Sequence, residues 1–364
     1  MVDYSLPQLF NTLVDQGASD LHIAAGSPPR LRLNGQIVPL NLPPITEDES
    51  AELCFSVLTE SQKKTLEQDR ELDLSFNVRD LARFRGNIFY ESSALAGAFR
   101  FIPIKIHSLQ ELGTPPSIER LCHLKRGLIL ITGPTGSGKS TTLAAMIDHI
   151  NSNKFCRIVT IEDPIEFIHN HKNSMVNQRE IGSDTNSFSK AMKSVLRQDP
   201  DVIMVGELRD LETISSALTM AETGHLVFAT LHTNDAISSI NRIIDAFPPH
   251  QQSQVRTQLA MTLECVVSQS LIQNTQGGRS LAMEVMAANQ AIRSLVNEGK
   301  INQLYSSIQS GQSDSGMQTM NQALINLISS REITKEVALS SSSKPDELLE
   351  ILVNRANSPR KPRR

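Results

Sequence analysis

Eight consecutive residues constrain this chain more than any others: Gly133-Pro134-Thr135-Gly136-Ser137-Gly138-Lys139-Ser140. They satisfy G-x-x-x-x-G-K-[ST], they follow the apolar run 128–132, and they open a helical stretch that begins Thr141-Thr142-Leu143. A strand that passes into a helix through such a loop belongs to a parallel α/β sheet, and the loop itself is a phosphate cradle. Its glycines let backbone N–H groups converge on a β-phosphate, and the helix N-terminus adds the positive end of its dipole. The spacing predicts that Gly133 through Thr141 bind ATP, that Lys139 reaches the β- and γ-phosphates, and that the Ser140 hydroxyl ligates Mg²⁺.

Hydrolysis also needs carboxylates near Mg²⁺ and the attacking water. Two acid clusters follow apolar runs of strand length: residues 160–166 (TIEDPIE) and residues 199–207 (DPDVIMVGE). In an open parallel sheet the ligand lies at the carboxyl ends of the strands, so Glu162, Glu166 and Glu207 are expected to face the phosphates. The run 226–231 is preceded by Gly224-His225 and followed by His232-Thr233. Seven residues along a strand separate the two histidines by about 23 Å, which excludes a shared metal ion. His232, at the carboxyl end, is expected to hydrogen-bond a γ-phosphate, and His225 is the second candidate for that role.

The runs 128–132, 157–161, 202–205 and 226–231 alternate with helical stretches, the pattern of a buried parallel sheet with crossover helices. Upstream, the first hundred residues read as a small α+β unit. It comprises a helix over 6–17, a hairpin about Asn34-Gly35, a helix over 47–68, and strands at 72–78, 84–91 and 98–102. Alternation in the middle strand puts Phe84, Ile88 and Tyr90 on one face and Arg83 and Arg85 on the other. Residues 103–116 hold three prolines and a glycine and read as a linker. From about 249 the chain reads as helices with one strand at 281–286. The expected division is 1–103, a linker 104–116, a larger domain 117–345 and a basic tail 346–364, Pro- and Arg-rich and disordered over 354–364.

Composition removes several classes. With no Trp, three Tyr and a net charge of -4, the chain offers few stacking platforms and little phosphate neutralisation, so no nucleic-acid partner is expected. Cys54, Cys122, Cys156 and Cys265 form no C-x-x-C pair, which argues for free thiols rather than a zinc knuckle or a disulfide framework. The N-terminus carries no secretory signal, and no apolar run approaches the ~20 residues needed to span a bilayer. A soluble cytoplasmic protein is expected.

Taken together, GPTGSGKSTTLAAMID, TIEDPIEF, RQDPDVIMVGELRDLETI and AETGHLVFATLHTNDA resemble the secretion and type IV pilus ATPases, and the likeness runs from GASDLHIAAGSPP to about residue 335. The resemblance implies an α/β fold: a RecA-like P-loop ATPase domain with a parallel-sheet core, preceded by a smaller α+β PAS-like N-terminal domain, with ATP between the two. It implies a homohexamer at the cytoplasmic face of the inner membrane. There it would drive the platform protein of the pilus to power retraction, with a second retraction ATPase as a further partner and only peripheral membrane association. It makes Glu166 the general base with Glu162 in support, and sets Glu207 on Mg²⁺ through water. His232 and His225 fall in a histidine box. Arginines that reach the nucleotide correspond to Arg83-Phe84-Arg85 and Phe99-Arg100-Phe101, with Arg85 and Arg100 as the candidates. Ala291-Ile292-Arg293-Ser294-Leu295 is similar to the AIRNL motif of the retraction members, with Ser294 in place of Asn; that motif serves retraction rather than hydrolysis. The alternatives are an accessory retraction ATPase and a pilus-assembly or type II secretion ATPase. The latter carry a long extra N-terminal region and a four-cysteine zinc module, neither of which is found in this sequence. A DNA-translocating ATPase and a non-hydrolysing scaffold are the rivals from other classes.

Overall fold

In the computed structural model, which describes residues 4–33, 35–78, 81–102, 105–311 and 316–357, the chain divides into two units, 1–105 and 106–364. The first is organised by phenylalanines. Helix α1 (Leu6–Asp15) begins at Ser5 in a capping box with Gln8 and buries Leu6, Leu9, Phe10 and Leu13. Phe10 stacks on Phe84 at 4.0 Å between centroids and meets Phe99 edge-on at 5.5 Å. Around them lie β1 (Asp20–Ile23), β2 (Arg30–Leu33), β3 (Gln36–Pro39), β4 (Glu71–Val78), β5 (Ala82–Glu91) and β6 (Ala94–Ile102). They form one antiparallel sheet in the order β3-β2-β1-β6-β5-β4.

Three details differ from the sequence reading. β1 carries no turn signal of its own and is an addition to the expected strands. The single helix expected over 47–68 is two, α2 (Glu47–Phe55) and α3 (Glu60–Asp69), because Thr59 forms a second capping box with Gln62 and starts a new helix. Strand β6 starts at Ala94 rather than at 98, because Ser92 and Ser93 take φ of 50° and 74° and close a two-residue hairpin. Of the Asn34-Gly35 turn, Asn34 lies outside the described residues; Gly35 has φ 86° and β2 and β3 pair antiparallel as expected.

The second unit runs α4 (Pro116–Cys122), β7 (Gly127–Thr132), α5 (Lys139–Asn153), β8 (Arg157–Glu162), β9 (Met175–Glu180), α6 (Phe188–Val195), β10 (Val202–Val205), α7 (Leu211–Glu222) and β11 (Leu226–Leu231). It continues with α8 (Ala236–Asp245), α9 (Pro249–Thr262), β12 (Leu263–Gln273), β13 (Arg279–Ala287), α10 (Gln290–Asn297) and α11 (Leu304–Ser310). The last helices are α12 (Met320–Ser329), α13 (Lys335–Ser341) and α14 (Pro345–Asn357). Seven strands form a sheet in the order β13-β12-β7-β11-β10-β8-β9, parallel except for the β12–β13 hairpin. Alternate residues of its central strands feed two cores. Leu128, Leu130, Val159, Ile161, Ile203 and Val205 face one, while Ile129, Ile131, Ile158, Val202, Met204 and Phe228 face the other. Burial on both faces is why these runs are continuously apolar.

β12 replaces the helix expected after α9: Val266 and Val267 pack into opposite cores, and the strand at 281–286 needs β12 as its hairpin partner. The linker expected over 104–116 is partly structure, since Leu109 packs with Ile118 and Cys122 in the core of the second unit. The tail expected from 346 is also corrected. Residues 346–357 belong to α14, whose Leu348 is fully buried, and residues 358–364 lie outside the described ones. All four cysteines are free, and burial pushes the thiols of Cys54, Cys122 and Cys265 up to about 12. No helix among the described residues is long and apolar enough to cross a membrane.

Candidate nucleotide-binding site

β7 ends at Thr132, and the chain turns through Gly133 (φ 143°), Gly136 (φ 78°) and Gly138 (φ 87°) into α5, whose first residue is Lys139. Only glycine fits at the first of these. A Cβ on Gly133 would lie 2.3 Å from the Gln269 carbonyl oxygen and 2.6 Å from Ser137 Oγ. The loop is thus pressed against β12, where Gln269 Nε2 donates to the Ser137 carbonyl at 2.8 Å. Ser268, the preceding residue of β12, shares a hydrogen bond of 2.8 Å with Thr132. No motif marks Ser268 or Gln269. The available signal is a polar Ser-Gln-Ser break at 268–270 in an otherwise apolar stretch.

Lys139 Nζ donates to the carbonyls of Gly133 (2.8 Å) and Pro134 (3.0 Å), so the ammonium arches over the loop. Burial holds its pKa below the usual lysine value, while Glu207 and Glu166 pull it back up. Two of the three predicted acids therefore act electrostatically on the predicted lysine.

The register of the sheet explains this convergence. Thr132 pairs with Leu231, and Val205 pairs with both Ala229 and Ile161, so the four central strands end along one edge. Just beyond that edge, Glu207 accepts a hydrogen bond from Arg209 Nε at 2.7 Å and lies 3.4 Å from His232 Nε2. Arg209 also faces Asp163 at 3.6 Å. Glu207, Leu208, Arg209, His232, Thr233 and Arg242 line a cavity here. Arg209 and Arg242 are additions to the predicted set; Arg209 is legible only as the cation two residues past the acid.

Glu162 sits deeper. It accepts from Thr160 Oγ1 at 2.7 Å and from Gln178 Nε2 at 3.1 Å, and Gln178 also donates to the Phe167 carbonyl at 2.7 Å. Gln178 thereby ties Glu162 to the loop that carries Glu166. Glu166 itself is exposed, and that loop is fixed from beneath by buried Glu180, which accepts the Ile165 N–H at 3.0 Å.

Burial raises the Glu162 carboxyl from an ordinary 4.5 to about 7, opposed by its hydrogen bonds with Thr160 and Gln178. Between these pH values the native state holds a proton that the unfolded chain has lost, so folding stability falls as pH rises through this window and levels off above it. Glu162→Gln should remove that slope. The variant should match the parent at pH 4.5 and exceed it by up to about 3 kcal/mol at pH 8, as read by denaturant unfolding at the two pH values.

His225 is not brought to this edge. It precedes β11 at the amino end, where its ring Nδ1 lies 3.0 Å from the Met220 carbonyl and 3.1 Å from Thr223 Oγ1, and its carbonyl accepts the Gly127 N–H. Within the first unit, Arg85 and Arg100 face each other as a cross-strand pair. Arg100 Nε donates to Asp20 at 2.8 Å, and Arg85 is exposed.

The residues at the edge suit a magnesium nucleotide. The donor set is oxygen only: the Ser140 hydroxyl in the first turn of α5 and the Glu207 carboxylate. Inside the loop, the buried Ser137 Oγ has no hydrogen-bond partner among the described residues, which leaves a donor for a phosphate.

Residues 2–338 match the family described as "Type II/IV secretion system protein". The chain is 48% identical over 331 residues to the type IV pilus retraction ATPase PilT of Pseudomonas aeruginosa, covering 91% of this chain and 96% of that protein. It is 46% identical over 338 residues to a twitching motility protein of Neisseria gonorrhoeae, covering 93% and 90%. A solved structure of the pilus retraction motor PilT with bound ADP superposes with a TM-score of 0.91 at 48% identity, over 96% of this chain and all (100%) of that one.

Proposed function

The chain belongs to the family of type II/IV secretion system proteins, and from that membership we propose that it is an ATP-hydrolysing motor that powers retraction of type IV pili. The observation that carries the reading is the convergence of Glu166 and Glu207 on Lys139 at the carboxyl edge of the sheet. ATP is the substrate. Its γ-phosphoryl group passes to water, with cleavage of the bond between Pγ and the bridging oxygen. Lys139 exchanges the Gly133 and Pro134 carbonyls for phosphate oxygens. Glu166, exposed and held at a fixed height by Glu180 and Gln178, takes the proton of the attacking water. Mg²⁺, when bound, neutralises charge on the β- and γ-oxygens; Ser140 would hold it directly and Glu207 through water. His232, beside Glu207, faces the γ-phosphate. Arg85 and Arg100 are the arginines that the family resemblance offers for the nucleotide.

The motor works as a homohexamer in the cytoplasm, at the inner face of the membrane, where it turns the pilus platform protein; a second retraction ATPase is a fitting partner there. The segment similar to the retraction motif gives the test. Arg293 does not simply project outward. Its guanidinium donates to the carbonyls of Ala260 (2.9 Å) and Met261 (3.1 Å) and to Glu264 (2.9 Å), binding α10 to the α9–β12 junction beside the largely exposed Met261. Deleting the gene should leave cells piliated and unable to twitch. Arg293→Ala should reproduce that phenotype while phosphate release stays within about threefold of the parent, since the site is elsewhere. The change should also cost about 1–3 kcal/mol of stability by unpairing Glu264. Normal twitching in both strains would remove the retraction assignment.

A further inference from the structure

Away from the phosphate edge, the second unit brings together Glu119, His123 and His149, and one ligand atom from each lies within 4.8 Å of the others. Nothing in the hydrolysis described above uses them. We propose that they form a transition-metal site, best suited to Zn²⁺, that clamps α4 to α5.

Glu119 lies in α4 and His123 directly follows that helix, four residues on, so both side chains project from one face. His149 comes from the later half of α5. The two helices are already fixed against each other: Ile118 and Cys122 of α4 pack with Met146, Ile147 and Ile150 of α5. Lys154 Nζ, just past α5, donates to the Leu124 carbonyl at 2.9 Å. The ligands are thus borne by a preorganised scaffold, and binding would draw atoms that already lie within 4.8 Å of one another into a tetrahedral shell.

A second observation points the same way. His149 Nε2 is enclosed and has no hydrogen-bond partner among the described residues, while its ring stands edge-on to His123 at 5.5 Å between centroids. An enclosed ring nitrogen without a partner is unfavourable, and a cation relieves it. Two imidazoles and one carboxylate favour a late first-row metal over Mg²⁺ or Ca²⁺. Three protein ligands leave a fourth position to water, and the exposure of Glu119 and His123 provides access to it. Since α5 begins at Lys139 and His149 lies about 15 Å further along it, the clamp would hold the helix that carries the phosphate loop.

The test uses the full chain, stripped of metal and without nucleotide, so that it stands apart from the motor reading. Zn²⁺ is titrated in competition with a chromophoric chelator, and thermal midpoints are measured with and without Zn²⁺. The parent should bind one Zn²⁺ per chain and gain thermal stability from it. His149→Ala and His123→Gln should each weaken binding by at least about tenfold and lose the thermal gain, while zinc-free ATP turnover with Mg²⁺ stays at the parent level. If His149→Ala does not fold, His123→Gln and Glu119→Gln, at exposed positions, decide alone. Absence of stoichiometric binding in the parent, or parent affinity in the exposed variants, overturns the site.

Discussion

Lys139→Ala should lower ATP turnover by about 10²–10³-fold or more, the scale associated with losing a preorganised charge at a developing anion. The side chain is 8% exposed, and its ammonium is satisfied by the Gly133 and Pro134 carbonyls. Those carbonyls are loop backbone that phosphate oxygens can replace, so the lysine is poised rather than spent on structure. Burial already disfavours its charge, and removing the charge relieves that penalty. The fold should therefore survive, with a thermal midpoint within a few degrees of the parent, and the loss should be read as chemistry. Phosphate release and nucleotide affinity measured on the same preparation check this. Turnover near the parent rate would take Lys139, and with it the whole loop, out of the site.

How much of this was legible in the sequence follows from how local each cause is. The phosphate loop was readable because its requirement is conformational: Gly133 cannot carry a Cβ and Gly136 and Gly138 take positive φ, so the residue types are fixed by backbone geometry. Glu207 and His232 were readable because both follow strands whose apolar runs are continuous. The break within 47–68 left only a short mark in the sequence, the Thr59-x-x-Gln62 capping pattern inside a stretch that reads as helical on both sides. β12 was hidden because Glu264 and the polar run Ser268-Gln269-Ser270 interrupt the continuous apolar stretch that marks the other strands buried on both faces. Gln269, Gln178 and Arg209 were out of reach for a different reason. Each acts on a residue from another element: Gln269 on Ser137, Gln178 on Glu162 and the loop of Glu166, Arg209 on Asp163. Such partners exist only once the sheet has assembled. The histidines show the converse. Already ranked in sequence by their places at the two ends of the run 226–231, they sit at opposite ends of β11, and only His232 meets the acid.

Glu166→Gln should lower turnover by about 10²–10⁴-fold while ATP affinity stays within about threefold. The two candidates for the base differ in what their carboxylates are committed to. Glu162, with its carboxyl raised to about 7, has the pKa a base at neutral pH would want. Yet it is 8% exposed and its Oε1 is taken by Thr160 and Gln178, so water has little access to it. Glu166 is exposed, lies close enough to influence Lys139, and is carried on a loop pinned by Glu180 and Gln178. Access and position decide over pKa, because a proton is transferred only where water can stand. An amide in place of the Glu166 carboxylate keeps the size of the side chain and its capacity to hydrogen-bond but cannot take a proton. Glu162→Gln, by contrast, keeps an acceptor for Thr160 and Gln178 and should lower turnover by less than about tenfold, short of the loss of a positioned base. Single-turnover hydrolysis and ATP binding measured side by side on the two variants separate the roles. A Glu162→Gln loss larger than that of Glu166→Gln would move the base to Glu162 and leave Glu166 with the loop.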